Sequence, residues 1–150
     1  MTAPNCLRYR GQLYRRAAAA PSKGLVTNIE QVTTDNQDYR RVLYTGKYSQ
    51  LVVMCLQPGE EIGAEVHQHT DQFFRIEAGQ GEVVINGTRT PLAAESAVVV
   101  PAGSKHNVIN TGKKALQLYT IYSPPHHQDG IVVKTKADEV EEHFDGVTTE

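Results

Sequence analysis

The chain reads Pro58-Gly-Glu-Glu-Ile-Gly-Ala-Glu65-Val-His67-Gln-His69-Thr-Asp-Gln72-Phe-Phe-Arg-Ile-Glu-Ala-Gly-Gln-Gly81 where metal-binding side chains, turn glycines and strand-forming residues occur together. A second segment, Pro101–Asn110, supplies one more histidine, His106, directly after a Pro/Gly turn. Imidazoles combined with carboxylate or amide oxygens on neighbouring strands are the donors that a mononuclear metal site needs. The two segments together predict a site for one metal ion.

The spacing of these residues limits which of them can share an ion. In an extended strand, residues two apart share a face and lie about 6.6 Å apart, so Glu65, His67 and His69 point the same way. Residues four apart lie about 13 Å apart, too far for both to reach an ion at about 2.0–2.2 Å unless a bulge intervenes. The ligand pair is therefore either Glu65 with His67 or His67 with His69.

Both segments resemble the two sequence motifs of the cupin superfamily. The second motif, G-x5-P-x-G-x2-H-x3-N, matches except at its leading glycine, where this chain has Glu95. Its matching residues are Pro101, Gly103, His106 and Asn110. The resemblance covers about residues 48–122. It implies an all-β, cupin-type double-stranded β-helix, which is a jelly-roll barrel.

The first cupin motif, G-x5-H-x-H-x(3,4)-E-x6-G, fits in a shifted register counted from Gly59. Its positions fall on Glu65, His67, Gln72 and Gly79, with Glu65 replacing a histidine and Gln72 replacing the usual glutamate. The pair His67 and His69 would leave two motif spacings unmatched. The resemblance thus implies four metal ligands, Glu65, His67, Gln72 and His106. A barrel that has lost its metal is the alternative.

Three further residues are candidates for catalysis. His69 would lie in the pocket as an acid/base or outer-sphere group, and Lys105 would meet an anionic substrate at the rim. Tyr119 and Tyr122 fall on opposite faces of the last barrel strand, so one of them should line the pocket, and Tyr122 is included as the candidate. Alternation also predicts that Phe74 and Ile76 point inward with Gln72. The histidines after the prolines, at 126 and 127, are expected to be exposed loop residues, and the alternative is that one of them caps the mouth of the barrel.

A divalent ion held by one carboxylate, two imidazoles and a neutral amide would act as a Lewis acid on a carbonyl or a pair of hydroxyls. That chemistry suits isomerisation, epimerisation or dehydration of a sugar or sugar derivative, and the chain is similar to mannose-6-phosphate isomerase-like cupins. The ion could be Zn, Mn, Fe or Ni. One alternative is a mononuclear Fe(II) dioxygenase using three histidines, His67, His69 and His106. Another is a non-catalytic carbohydrate-binding or sensing cupin.

Composition limits the classes of function. A net charge of −2 over 150 residues gives no basic field for nucleic acid. No apolar run approaches the roughly 18 residues of a transmembrane helix, so no membrane association is expected. Two cysteines, Cys6 and Cys55, form no disulfide framework, which favours a reducing cytoplasm.

The chain divides into three parts by composition. Residues 1–24 are basic and lack acidic residues, which predicts an N-terminal arm with a short strand near 7–14. Residues 25–134 are expected to form the barrel, from a first strand at 25–32 onward, with a tight hairpin at Asn86-Gly87. Residues 135–150 are expected to hold a short helix, opened by Thr135 and ending near His143, followed by a tail. Barrel edges that need covering predict a homodimer.

Overall fold

The computed structural model describes residues 20–150, which fold into two antiparallel β-sheets with one short α-helix. The elements run in the order α1 (Ile29–Asp35), β1 (Arg40–Thr45), β2 (Gln50–Leu56), β3 (Glu65–Val66), β4 (Asp71–Ala78), β5 (Gln80–Ile85), β6 (Thr88–Ala93), β7 (Ala97–Val100), β8 (Lys105–Ile109), β9 (Leu116–Ser123) and β10 (Val132–Val133). One sheet has the order β10-β1-β2-β9-β4-β7 and the other β3-β8-β5-β6. The predicted all-β jelly-roll architecture is confirmed.

The core lies between the two sheets and follows the period-two alternation of the strands. On β4, Gln72, Phe74 and Ile76 are buried, which confirms their predicted inward orientation. Phe74 and Ile76 pack in one cluster with side chains from the other sheet, including Val83 and Val108. Because Gln72 is the polar member of this inward row, the alternation that builds the core also carries a polar side chain into the barrel.

The predicted hairpin at Asn86-Gly87 is confirmed. Ile85 pairs with Thr88 across a two-residue turn. Asn86 has φ of 47° and Gly87 has φ of 85°. Both values are positive, as the turn type that suits the strand twist requires. This hairpin fixes the register of β5 and β6 and leaves β8 as the inner neighbour of β5.

Two secondary-structure predictions are wrong. The expected first strand at 25–32 does not form: residues 25–28 have no regular structure, and α1 begins at Ile29 because the side chain of Asn28 accepts a hydrogen bond from Gln31 N and caps a helix there. Thr135 does form a capping box, but the helix is a single 3₁₀ turn, Lys136–Asp138. Later residues of the tail bond to the barrel instead, as the ion pair of Glu139 with Arg40 shows.

The ends of the chain are tested only in part. The predicted arm at 1–24 and its strand at 7–14 lie almost entirely outside the described residues. Near the start of the described residues, the backbone N–H groups of Lys23 and Gly24 donate to the carboxylate of Glu150. Within residues 20–150, no helix has the length and apolar character needed to cross a bilayer.

Candidate metal centre

Three metal-binding side chains converge at one end of the four-stranded sheet. Glu65 on β3 lies directly opposite His106 on β8 in the antiparallel register, so both side chains share one face. His67 follows two residues after Glu65, just beyond the end of β3. One ligand atom from each of the three residues lies within 4.8 Å of the others. The structure therefore brings together the Glu65 and His67 pair that motif spacing favoured.

Gln72 reaches the same cluster from the other sheet. Its side chain is buried, and its Nε2 donates to Thr120 Oγ1 at 3.0 Å. This bond turns the amide oxygen toward His106, so that Gln72 Oε1 lies 3.1 Å from His106 Nε2. The fourth predicted ligand is thus adjacent to the other three, with its oxygen facing them.

The contacts of His106 show what the cluster lacks. Its Nδ1 lies 3.0 Å from the carbonyl oxygen of Ser104, which can only accept, so Nδ1 carries the proton of the neutral ring. Nε2 then presents a lone pair to the oxygen of Gln72, and two acceptors face each other. A cation between them removes this conflict, and a carbonyl partner on the remote nitrogen is the usual arrangement of a metal-bound histidine.

His67 gives a second, independent indication. Its Nε2 is buried and makes no hydrogen bond of good geometry to any of residues 20–150, although Glu65 Oε2 lies 3.2 Å away. Two ligands of one ion at bond lengths of about 2.0–2.2 Å lie about 2.8–3.6 Å apart on neighbouring coordination positions. The separations of 3.1 Å and 3.2 Å both fall in this range. The residues present therefore fit a divalent metal ion.

The electrostatics of the site favour a bound cation. Burial opposes ionisation of Glu65, but contact with His67 and the positive charge of Arg40 hold its pKa below the ordinary value. Glu65 is therefore a carboxylate at neutral pH. Burial raises the pKa of Tyr122, so its phenol stays protonated. The cluster thus offers one anionic carboxylate together with imidazole, amide and phenol groups as ligand atoms.

Two catalytic candidates are not brought to the cluster. β3 ends at Val66, and His69 lies exposed on the following turn, so the extended geometry that would have aligned His69 with Glu65 and His67 stops too early. Lys105 is exposed and alternates with the inward-facing His106 on β8. His69 therefore does not join the ligand cluster. Lys105 lies exposed beside His106 and lines a second cavity of about 200 Å³ with it, so its role toward an anionic substrate stays a prediction.

Tyr122 is placed as predicted, and two histidines are placed differently. Tyr122 is buried, with its ring centroid 5.9 Å from that of His67. His127, expected to be exposed, is buried, and its Nε2 lies 3.2 Å from Tyr122 Oη. His126 lies with its ring centroid 4.2 Å from that of His67. Burial and the neighbouring His127 and His67 lower the pKa of His126 to about 4.

Sequence reasoning underestimated these two histidines because a loop carries them. No strand periodicity applies to Pro124–Asp129, and their position depends on contacts with remote residues. Gln50 Oε1 accepts from the backbone N–H groups of both His126 and His127, while Glu142 binds the His127 ring. The only available sequence signal was the presence of paired histidines directly after the last barrel strand.

A cavity of about 300 Å³ opens onto the cluster between the barrel and the C-terminal segment. Its lining includes Arg40, Glu65, His126, Glu139 and His143. Because Glu65 belongs both to the ligand cluster and to this lining, a small molecule in the cavity would be adjacent to the metal site. The segment 139–143 forms one wall, which was not predicted.

Comparisons with known proteins agree with this architecture. The family model for the cupin domain matches residues 52–122. The uncharacterized protein YrkC of Bacillus subtilis (strain 168) is 48% identical over 124 residues, which is 79% of this chain and 67% of the relative. A mannose-1-phosphate guanylyltransferase of Escherichia coli (strain K12) is 27% identical over 119 residues, 71% of this chain but 25% of that protein.

A solved structure extends the match to most of the described fold. The crystal structure of BH2720 from Bacillus halodurans superimposes with a TM-score of 0.76 at 42% sequence identity. The match covers 80% of this chain and 95% of that one. With the motifs, the jelly-roll topology and the histidine–carboxylate cluster, these similarities lead to one assignment: the chain belongs to the cupin family.

Proposed function

We propose that this chain holds one divalent metal ion through Glu65, His67 and His106, with Gln72 as a fourth ligand. We further propose that it catalyses isomerase-, epimerase- or dehydratase-type chemistry on a sugar or sugar derivative. The observation that supports the metal site is that ring nitrogens and oxygens able to bind a cation lie together without hydrogen-bond donors between them. His67 Nε2 has no hydrogen-bond partner in the part of the chain that the structure describes, and His106 Nε2 faces the oxygen of Gln72.

A bound divalent ion would supply Lewis-acid polarisation of a substrate carbonyl or hydroxyl. The protein's own groups would then orient the substrate and move protons. His126 lines the cavity next to His67 and is the group best placed to accept a proton from a molecule there. Tyr122 lies behind it, with its ring stacked on that of His126 at 5.4 Å, and supports the position of that imidazole.

The sugar class is supported by the chemistry of the site and by one relative. A cavity of about 300 Å³ with mostly charged and polar walls suits a small, oxygen-rich molecule. The matched relative is named as a mannose-1-phosphate guanylyltransferase, although the similarity spans only 25% of it. Zn, Mn, Fe and Ni all accept imidazole and oxygen donors, and each stays a candidate.

A second function is favoured by the donor set itself. Two histidines and one carboxylate form the ligand set typical of mononuclear Fe(II) oxygenases. Glu65 would then supply the carboxylate in place of the third histidine considered from the sequence, because His69 is exposed on a turn. This iron enzyme and the sugar isomerase share a ligand set but differ in their need for oxygen.

Metal-dependent turnover tests the proposed function. The protein, stripped with a chelator and reloaded with each of the four metals, should interconvert at least one aldose, ketose or sugar phosphate only when loaded. His126→Ala should keep its metal and lower kcat by roughly 10²–10⁴-fold, the range of general acid–base catalysis. Lys113→Ala, which changes an exposed side chain on the loop between β8 and β9, is the matched control and should keep kcat and KM within about twofold.

Three outcomes would change this assignment. Oxygen consumption by the iron-loaded protein with a substrate would favour the oxygenase. Saturable sugar binding without turnover in any metal form would favour a binding or sensing barrel. Full turnover after complete removal of the metal would contradict the proposal for both enzyme classes.

We also propose that the chain is a cytoplasmic homodimer. The outer face of the six-stranded sheet leaves several apolar side chains partly exposed, namely Leu51, Phe73, Tyr119 and Ile121. A partner subunit would cover them together with a sheet edge. Light scattering at micromolar concentration should give twice the chain mass of 16.6 kDa, and Tyr119→Glu should reduce it by placing a charge in the interface. A stable mass of 16.6 kDa for the unchanged chain would contradict the dimer.

A further inference from the structure

Arg40 is a buried cation in the cavity beside the metal cluster. It lies on β1, where its neighbours alternate, so that Arg40 and Val42 face inward and Arg41 faces solvent. Its side chain is 5% exposed, yet its Nε has no hydrogen-bond partner among residues 20–150. A guanidinium has five N–H donors in a planar fork, and leaving a buried one unpaired is unfavourable. The Nε of Arg40 can therefore take a further acceptor besides the partner of Nη1.

Glu139 supplies the counter-ion of Arg40 in this structure. Glu139 Oε2 lies 3.0 Å from Arg40 Nη1, and the Glu139 side chain is 29% exposed. It belongs to the C-terminal segment that walls the cavity, not to the barrel. The Arg40 guanidinium thus already pairs with a carboxylate, and the residue that supplies it, Glu139, lies outside the two sheets.

The charges around Arg40 limit which anion could replace the carboxylate of Glu139. Glu65 and Glu142 also line the cavity and carry negative charge, with Glu142 paired to His127 and to Gln128 N. A dianionic phosphate would be repelled more strongly by these carboxylates than a monoanion. A planar carboxylate also matches the fork of a guanidinium in a two-point contact.

We propose that Arg40 binds the carboxylate of a small, hydroxylated acid in this cavity, and that Glu139 occupies the guanidinium until that acid displaces it. This inference rests on the proposed function. Glu65 lines the cavity and also belongs to the metal cluster, so an acid bound to Arg40 would have its hydroxyl or carbonyl oxygens next to the metal. The substrate class becomes a sugar acid or a related hydroxy acid. Arg40 is its specificity-determining residue.

Titration calorimetry with the metal-loaded protein tests the binding group. Glucuronate and glucose differ at one carboxylate, and glucose 6-phosphate offers a phosphate instead. Glucuronate should bind saturably, with at least tenfold higher affinity than glucose or glucose 6-phosphate. Arg40→Ala should reduce glucuronate affinity by about 10–100-fold, as expected for losing a charged hydrogen-bond partner, while Arg41→Ala should leave it unchanged. Equal losses in both variants, preference for the phosphate, or no saturable glucuronate binding would overturn the proposal.

Glu139→Gln distinguishes binding from mere structural pairing. If Glu139 competes for the guanidinium, this variant should bind glucuronate about 3–10-fold more tightly, whereas Glu30→Gln, which changes an exposed side chain on α1 outside the cavity lining, should not. Weaker or unchanged binding in Glu139→Gln would assign the ion pair to structure alone. The same titrations on the metal-free protein, together with turnover assays, separate the proposed metal-dependent function from the proposed binding by Arg40. Glucuronate binding that depends on Arg40, without any metal-dependent turnover, would reject the proposed function. Metal-dependent turnover of neutral sugars, without glucuronate binding that depends on Arg40, would reject this inference.

Discussion

Alanine at Glu65, His67 or His106 is expected to remove stably bound metal from the purified protein, whereas alanine at His69 is expected to leave it in place. The first three side chains offer ligand atoms within 4.8 Å of one another, and His69 is exposed on a turn. Loss of a direct ligand should reduce metal affinity by more than the 10–100-fold typical of an outer-sphere partner. Elemental analysis after purification measures the metal content of each variant.

Conservative variants sharpen this comparison. Glu65→Gln keeps an oxygen donor but removes the negative charge that offsets the ion, so its metal content should lie between those of the unchanged chain and Glu65→Ala. Circular dichroism confirms that each variant is folded. A metal-free His69→Ala together with a metal-loaded Glu65→Ala would show that the register counted from Gly59 is wrong, and the three-histidine site would replace it.

Gly79→Ala is expected to destabilise the fold by about 3–5 kcal/mol, because two backbone costs add at that position. Gly79 has φ of 92°, which an L-residue rarely adopts. A Cβ there would also lie 2.4 Å from the carbonyl oxygen of Ala115, a backbone atom that cannot move aside easily. Chemical denaturation should show the loss, and the melting temperature should fall by on the order of 10 °C.

Gly59→Ala is the matched control for this substitution. Gly59 has a similar φ of 83°, but a Cβ there would meet no atom of residues 20–150 within 4 Å. This variant should therefore show only the conformational cost, about 1–2 kcal/mol. Equal destabilisation by the two substitutions would mean that the contact between Gly79 and Ala115 contributes nothing to the requirement for glycine.

The parts of the fold that were predicted correctly depend on local chemistry. Period-two alternation placed Gln72 and Phe74 inside β4, and the Asn86-Gly87 turn fixed the hairpin. Motif spacing selected Glu65 with His67, which the structure brings to His106. In each case the deciding residues are close in sequence or belong to regular strands, so that the side-chain direction follows from the backbone.

The parts that were missed depend on where regular structure stops. His69 was assigned to the pocket by extending a strand that ends at Val66. His126 was expected to face solvent because nothing local to its loop indicates that Gln50 binds the loop backbone. The inward position of Arg40 and its ion pair with Glu139 join remote parts of the chain, and no local pattern predicts such a pair.

The proposed metal ion, held by Glu65, His67 and His106 with Gln72 beside them, can be located by anomalous diffraction. Data would be collected from crystals of the metal-loaded protein on both sides of the metal's absorption edge. One strong anomalous peak per chain is expected within about 2.0–2.3 Å of Glu65, His67 and His106 ligand atoms. A peak bound by His69, or by His126 and His143 without Glu65, would show that the metal site is assigned to the wrong residues.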